Sequence, residues 1–543
     1  MEIGRLAADV LVIGGGIAGL QAALAAAKQG ACVVVAHMAH GASPYVLGVN
    51  SPLAQEDPAD TPELYAQDMM RGGYGLNDRR LVQVLAHEAV PAALELADLG
   101  VPFARRDGRF RQRHLSGNTC ARSLYVAEGT GRAIIDVLTQ AIERHGVRRL
   151  AGYRALRLLR DGGEVVGALL QSRQRNELIA IEAGAVVLAA GGMGRIYEDS
   201  TYPVDVAADS VALALEAGAV LIDMEFVQFE PTVTVYPEAC RGLEMPTAML
   251  GDGARLINTA GERFMQRYNP DHLEKRMEKA KLALCIQREI DEGRGFPDRS
   301  VIFDTTCLDA ATLEGYVTHV KRLRAAGLDP AREAPRIRPA AHSIMGGVRI
   351  DADCRSDVPG LFVCGEAAGG VHGASRLAGN GGGEIVTFGR VAGRAAGCAR
   401  GRGIDLVPLA RAALDHLWDD CRRPTGAEPG HAAAQLGTSM TGSCGLYRDG
   451  KGLERALATV RGERMAWAVG AAPSSLEDLA ANRSMRNRLI AAETILTAAL
   501  RRTESRGAHQ RRDFPATDEA NWTCHIATVL RDGVLTQAIV PVQ

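Results

Sequence analysis

The sequence predicts an α/β protein built around a Rossmann-like dinucleotide-binding unit, and three observations predict it. A short β-branched run, Val10 to Ile13, enters Gly14-Gly15-Gly16-Ile17-Ala18-Gly19, which fits G-x-G-x-x-G. Two further apolar runs far apart in the chain, Ala185 to Ala190 and Leu361 to Cys364, each lead into a glycine turn. The composition is that of a folded enzyme: 543 residues, 47% hydrophobic and 23% charged, with 61 glycines gathered in short motifs.

Each element follows from its residues. Val10–Ile13 reads as a buried parallel strand, Leu20–Lys28 as an alanine-rich helix stopped by Gly30, and Ala31–Ala36 as a second strand. Gly14, Gly16 and Gly19 let a pyrophosphate approach the main chain where the helix N-terminus offers unpaired N–H groups. Ala36-His37 stands where an acid would hold a ribose hydroxyl. Ala185 to Gly194 and Gly360 to Glu366 read as strands of one sheet whose carboxyl ends face a single large ligand. Leu409–Asp419 and Leu453–Val469 show helical spacing, and Ser484–Thr503 reads as one amphipathic helix with its arginines on the wet face.

Composition excludes several function classes. Sixty-two Lys+Arg against 64 Asp+Glu give a formal net charge of -2, and aromatics are only 4%, so neither a nucleic-acid coat nor an anionic-membrane binder is favoured. Eleven scattered cysteines with no C-x-x-C argue against a disulfide framework, a cysteine-only zinc site, a local iron–sulfur run and a two-domain disulfide reductase. No metal site is expected. Met1–Ala8 lacks a signal-peptide core, and Ala22–Gly30 is too short to span a bilayer and carries Lys28, so the expectation is a cytoplasmic protein with no membrane span.

The glycine motifs are joined, in order, by Asp223-Met-Glu-Phe-Val-Gln-Phe-Glu-Pro-Thr232, Gly261-Glu-Arg-Phe-Met-Gln-Arg-Tyr268, His342-Ser-Ile-Met-Gly-Gly347, Gly365 to Asn380, Glu504-Ser-Arg-Gly-Ala-His509 and Asp513-Phe-Pro515. Over nearly the whole chain this string resembles the succinate dehydrogenase/fumarate reductase flavoprotein family, which includes L-aspartate oxidase. The resemblance implies a Rossmann-like FAD-binding domain with an inserted α+β capping domain and a helical C-terminal region. The expected boundaries are 1–235 and 341–402 for the FAD domain, 236–340 for the cap and 403–543 for the C-terminal region. It further implies hydride transfer between FAD and a carbon beside a carboxylate. The positions expected to touch FAD are Gly14, Gly16, Gly19, Ala36, Gly41, Ser43, Gly48, Ala190, Gly191, Gly192, Glu366, Asn380 and Glu384. Arg376 matches the family's carboxylate-binding arginine, suited to a two-pronged contact. His342 opens the substrate-contacting H-x-x-x-G-G, and Glu238 and Arg241 match a proton relay.

Departures from the family decide how far the resemblance carries. Its Gln-Phe-His-Pro-Thr is here Gln228-Phe229-Glu230-Pro231-Thr232, and a neighbouring threonine becomes Pro237. A carboxylate at 230 would oppose a second substrate carboxylate by roughly 4 kcal/mol at about 4 Å and an effective dielectric near 20. The expected substrate is therefore a small carboxylate other than plain succinate or fumarate, with Glu230 meeting an amine or hydroxyl or acting as a base. The family's proton-transferring arginine is also missing. Counting back from Glu289 puts Lys279 at that spot, counting forward from Leu273 puts Arg276 there, and a lysine could serve as an acid if desolvation lowers its pKa. Ala42 stands near the position of the family's flavin-linking histidine, so FAD is expected to be noncovalent. Gly381, Gly382 and Gly383 are expected to leave N–H groups and space towards the flavin. Electrons require a separate donor or acceptor, such as an iron–sulfur subunit. Two alternatives stay open: an amino-acid or amine oxidase of the L-aspartate oxidase type, and a flavin-holding subunit without turnover.

Overall fold

Strand β1 (Ile3–Ile13), eleven residues whose last four, Val10–Ile13, are apolar and buried, is followed by α1 (Ile17–Lys28) and β2 (Val33–His37). A computed structural model describes residues 2–275 and 277–542 of the chain. Strands β3 (Arg148–Ala151), β4 (Tyr153–Asp161), β5 (Glu164–Ser172) and β6 (Glu177–Leu188) complete most of the main sheet, in the order β3-β2-β1-β6-β5-β4. The pairs β3–β2, β2–β1 and β1–β6 are parallel, whereas β5 runs antiparallel to both β6 and β4. Beyond the reach of β5, the last residues of β6 take a new neighbour from far along the chain: Val186, Val187 and Leu188 pair in parallel with Leu361, Phe362 and Val363. The two distant strands expected to share a sheet do so, and both end at its carboxyl edge.

Close packing explains the glycine-rich segments. Helix α1 is almost wholly buried, and the helix Asn380–Ala396 lies along it. A Cβ at Gly389 or Gly393 would stand 2.5 and 2.1 Å from the carbonyl oxygens of Ala18 and Ala22, so only glycine permits that approach.

The second layer is a four-stranded sheet of β7 (Val227–Tyr236), β8 (Arg255–Ile257), β9 (Val301–Asp304) and β10 (Arg336–Ile344), ordered β7-β10-β9-β8. With helix α2 (Lys279–Glu289) it encloses a separate hydrophobic core that runs from Cys240 to Ile337, including Leu256, Phe303 and Leu323. Strands β7 and β10 leave this unit and enter the main body side by side.

Downstream of residue 403 come helices Val407–Asp420, Pro429–Ser443, Gly450–Val469 and α3 (Leu476–Arg501), then a hairpin, β11 (Cys524–Arg531) and β12 (Val534–Pro541). The hairpin was not legible as such in the sequence. Its β11 pairs with the short strand Leu221–Ile222 and so extends a five-stranded sheet. The expected wet arginine face of Ser484–Thr503 holds at Arg501, which is exposed, and is corrected elsewhere: Arg502 is fully buried, and half-buried Arg488 donates to the Arg195 carbonyl at 2.9 Å; just before that segment, Arg483 is 3% exposed and grips Glu216 at 2.5 and 2.6 Å. Partners on other elements, invisible in a helical wheel, satisfy these charges. No helix among the described residues is long and apolar enough to cross a membrane.

Candidate active site

A cavity of about 2490 Å³ opens at the carboxyl ends of β1, β2 and β6 and runs beneath the second layer. Its floor is the turn from β1 into α1. Gly14 has φ +129°, and a Cβ there would lie 2.1 Å from the Ala189 carbonyl oxygen; at Gly19 it would meet the Gly14 oxygen at 2.1 Å. Gly14 and Gly16 line the cavity, while Gly19 serves the packing of α1 on the strand. Gly16 caps α1 without a side chain, and Ser43 from the following loop accepts the Ile17 N–H at 2.9 Å.

Ala36, Gly41, Ser43, Gly48, Ala190, Gly191, Gly192, Glu366 and Glu384 all border the same cavity. Gly192 makes room for Glu366, whose carboxyl would be 2.7 Å from a Cβ there. Glu366 accepts the Ile344 N–H at 3.0 Å and the Tyr202 hydroxyl. Burial pushes Glu366 up to about 7 and, with the Glu366 charge adding, Glu384 up to about 8. Asn380 is spent elsewhere: its Oδ1 accepts from Asn50 at 2.7 Å and from the Tyr65 hydroxyl at 3.0 Å, so its side chain braces the loop. The expectation of spare room at the glycine run is corrected too. A Cβ at Gly382 would sit 2.0 Å from the Gly48 oxygen and one at Gly383 2.8 Å from the Asn50 oxygen, so these glycines are pressed against the neighbouring loop.

The residues present fit a dinucleotide. Glycine turns leave bare backbone at the strand ends, and His37, at the end of β2, is 6% exposed with neither ring nitrogen partnered. Burial holds its imidazole down to about 4, so it is a neutral donor and acceptor facing the cavity.

At the other end of the cavity, β7 and β10 deliver two of the expected residues, Glu230 and His342, and the loop before Asn380–Ala396 delivers Arg376. Gln228 pairs with Ser343 and Phe229 with Ala341, so His342 is the extra residue of a bulge, which turns its side chain out of the ladder. Its Nδ1 lies 3.0 Å from Thr201 Oγ1, and burial lowers its pKa to about 3, leaving it neutral. Glu230 sits opposite Ala340 and is 2% exposed. Arg376 is anchored through its own carbonyl, which accepts from Gln228 Nε2 at 3.0 Å. Its guanidinium makes no ion pair among the described residues, and its buried Nε has no partner. Burial pulls its pKa down while Glu366, Glu230 and Glu244 oppose the shift.

Lys279 opens α2 and reaches Glu230 Oε1 and Oε2 at 2.8 and 2.9 Å and Glu244 Oε1 at 3.1 Å. The condition for Lys279 to serve as an acid is not met: burial does push its pKa down, but the two carboxylates more than offset this and hold the ammonium charged. Burial and the adjacent Glu244 raise Glu230 to about 7, while Lys279 and His342 keep Glu244 low despite its own desolvation. Glu230, Glu244 and His342 bring ligand atoms within 4.8 Å of one another, a cation's spacing, and the cation found beside both carboxylates is Lys279. Arg276 lies outside the described residues.

The expected relay is half in place. Arg241 borders the cavity and donates to Glu238 at 2.8 Å and Asp199 at 2.9 Å, whereas the Glu238 side chain is 76% exposed and does not line the cavity. Glu244, Thr201, His372 and His319 also border the site and were missed by sequence reasoning. Glu244 stands only three residues after Arg241, but no motif sets it apart from any surface glutamate.

Two family models match: an FAD binding domain over residues 9–381 and a fumarate reductase flavoprotein C-terminal region over residues 433–539. One subunit of the CoM/CoB fumarate reductase of Methanothermobacter marburgensis is 35% identical, with 95% of this chain and 96% of that one covered. The L-aspartate oxidase of Caulobacter vibrioides is 34% identical over 94% of each chain. Among solved structures, FrdA of E. coli quinol fumarate reductase superposes with a TM-score of 0.91 at 28% identity, covering 99% of this chain and 97% of that one.

Proposed function

The chain belongs to the succinate dehydrogenase/fumarate reductase flavoprotein family and is an FAD-dependent oxidoreductase, and from that premise we propose that it dehydrogenates or reduces a small carboxylate-bearing substrate other than succinate or fumarate. The carrying observation is Arg376, a half-buried arginine whose Nε is enclosed and unpartnered and which has no counter-ion among the described residues, in a cavity that also holds neutral His342. A buried unpaired charge is costly, and a ligand carboxylate supplies the missing partner through a two-pronged contact.

Bound FAD supplies the two-electron chemistry as a hydride acceptor or donor. The protein's part is to orient and to move protons. Arg376 holds the carboxylate, and His342, fixed by Thr201, offers its other ring nitrogen to the same ligand. The Glu230–Lys279–Glu244 trio is the group placed to take or give the proton, since burial leaves Glu230 titrating at about 7. Arg241 and Glu238 reach the solvent edge and connect the rim to bulk water. FAD is held without a covalent bond, because Ala42 offers no nucleophile in the loop beside Ser43. A separate electron donor or acceptor, such as an iron–sulfur subunit, completes turnover.

Anaerobic flavin bleaching against a panel of carboxylic acids tests the assignment. Arg376→Ala is expected to abolish bleaching while FAD stays bound; bleaching at the normal rate would remove the clamp. Acid precipitation is expected to release all the flavin, and yellow colour in the pellet would contradict noncovalent binding.

A further inference from the structure

At the end of the cavity bordered by β7 and β10, the charged side chains fall into two neighbouring groups. Arg376 has no ion-pair partner among the described residues. Beside it, two carboxylates, Glu230 and Glu244, share the single ammonium of Lys279, so the trio carries one negative charge in excess once both are ionised. The neighbouring groups do not correct this. His342 and His372 are half-buried, neutral imidazoles, Arg241 is committed to Glu238 and Asp199, and Arg322 and Lys281 lie exposed to solvent. Glu230 has both oxygens on Lys279, whereas the Glu244 contact with Lys279 uses Oε1, which leaves Oε2 as the acceptor for a further donor.

Resting on the reading of Arg376 as a carboxylate clamp, we infer that the substrate is a zwitterion: an amino acid with one carboxylate on Arg376 and an ammonium group against Glu230 and Glu244. The four charged side chains sum to zero, and a zwitterion keeps that balance while giving each end its partner. A simple monocarboxylate leaves the Glu230–Glu244 excess unanswered. A dicarboxylate sets a second anion against it, in a site whose burial weakens solvent screening. The raised pKa of Glu230 agrees, because a second cation is what that pair lacks.

Three matched ligand series separate the possibilities on FAD-loaded protein: glycine, acetate and malonate; β-alanine, propionate and succinate; 4-aminobutyrate, butyrate and glutarate. Within each series only the far end changes, from ammonium to hydrogen to carboxylate. Binding is read by titration calorimetry and by perturbation of the oxidised flavin spectrum, neither of which needs turnover. At the chain length that fits, the amino acid is expected to bind about tenfold or more tighter than either partner. Glu230→Gln and Glu244→Gln are each expected to shrink that preference several-fold. Half-buried Glu244 provides the variant to rely on if Glu230→Gln fails to fold. Equal or tighter binding of the dicarboxylate at every length overturns the inference, as does a preference that survives Glu244→Gln in full. If the amino acid and monocarboxylate bind alike and Arg376→Ala abolishes both, the clamp stands and the ammonium subsite is wrong. If Arg376→Ala leaves all binding unchanged, the clamp itself fails and the inference with it.

Discussion

Arg376, Glu366 and Glu384 show how burial, more than residue type, sets the chemistry of this site. The two glutamates titrate near neutrality, at about 7 and 8, because the cavity wall desolvates them, and the Glu366 charge adds to the cost of ionising Glu384. Glu384 has a folded pKa of about 8 against an ordinary value of 4.5, so the folded state keeps a proton that the unfolded chain loses. Its contribution is fully present below about pH 4.5 and disappears as pH rises through 8. In flavin-stripped protein, Glu384→Gln is therefore expected to melt progressively higher relative to wild type between pH 5 and pH 9, as followed by thermal denaturation at both pH values. A gap that does not widen with pH would remove the raised pKa. At this scale the sequence named Arg376, His342 and Glu366 through their motifs. It missed Glu244 and misjudged Lys279, since a lysine's proton affinity depends on which carboxylates face it across the fold.

Elements place these residues with small irregularities that a regular ladder would not allow. The bulge between β7 and β10 frees His342 from the strand alternation, and the paired strands Val227–Tyr236 and Arg336–Ile344 carry Glu230 and His342 into one wall. The start of helix Asn380–Ala396 is clamped on the loop at Gly48 by glycines without side chains. Gly382→Ala puts a methyl group 2.0 Å from a backbone oxygen, and the helix end must move. The expected cost is roughly 1–3 kcal/mol of stability with weakened flavin retention, measured by denaturant unfolding and by flavin release on dilution. Unchanged retention would show that this contact does not shape the cavity. The strand–glycine–helix start was legible from residue order alone, whereas the bulge was not, because it is a mismatch between two strands far apart in the chain.

Across the whole molecule, the C-terminal region acts as a brace behind the cavity wall that carries Glu230 and Arg376. Arg502 is fully buried and bonds Glu225 at 2.6 Å, Glu504 at 3.0 Å and the carbonyls of Trp522 and Cys524 at 3.0 and 2.8 Å. Glu225 lies just before the strand that carries Gln228 and Glu230, and its carbonyl accepts from Arg448 at 2.6 Å. Ala508 donates to the Ala374 carbonyl at 2.9 Å, which backs the loop bearing Arg376. Removing one member of such a network leaves uncompensated buried charge, so Arg502→Ala is expected to cost about 3–5 kcal/mol. Denaturant unfolding with flavin fluorescence as a second probe checks this, and a change below about 1 kcal/mol would show that the brace is dispensable.

The order of residues alone determined the dinucleotide fold and, through the resemblance of its motifs, the family and the arginine proposed to bind a carboxylate, because those can be read along one chain: a glycine turn between strand and helix, and short motifs in a fixed order. Tertiary structure decided the charge state of the site. Glu230, Glu244 and Lys279 come from different elements, and only their convergence in a desolvated cavity makes two carboxylates share one ammonium. The same holds for the arginines of α3, whose partners lie hundreds of residues away. Proton affinity and ion pairing are properties of what surrounds a group in space, and sequence order carries that information only where neighbours in the chain are also neighbours in the fold.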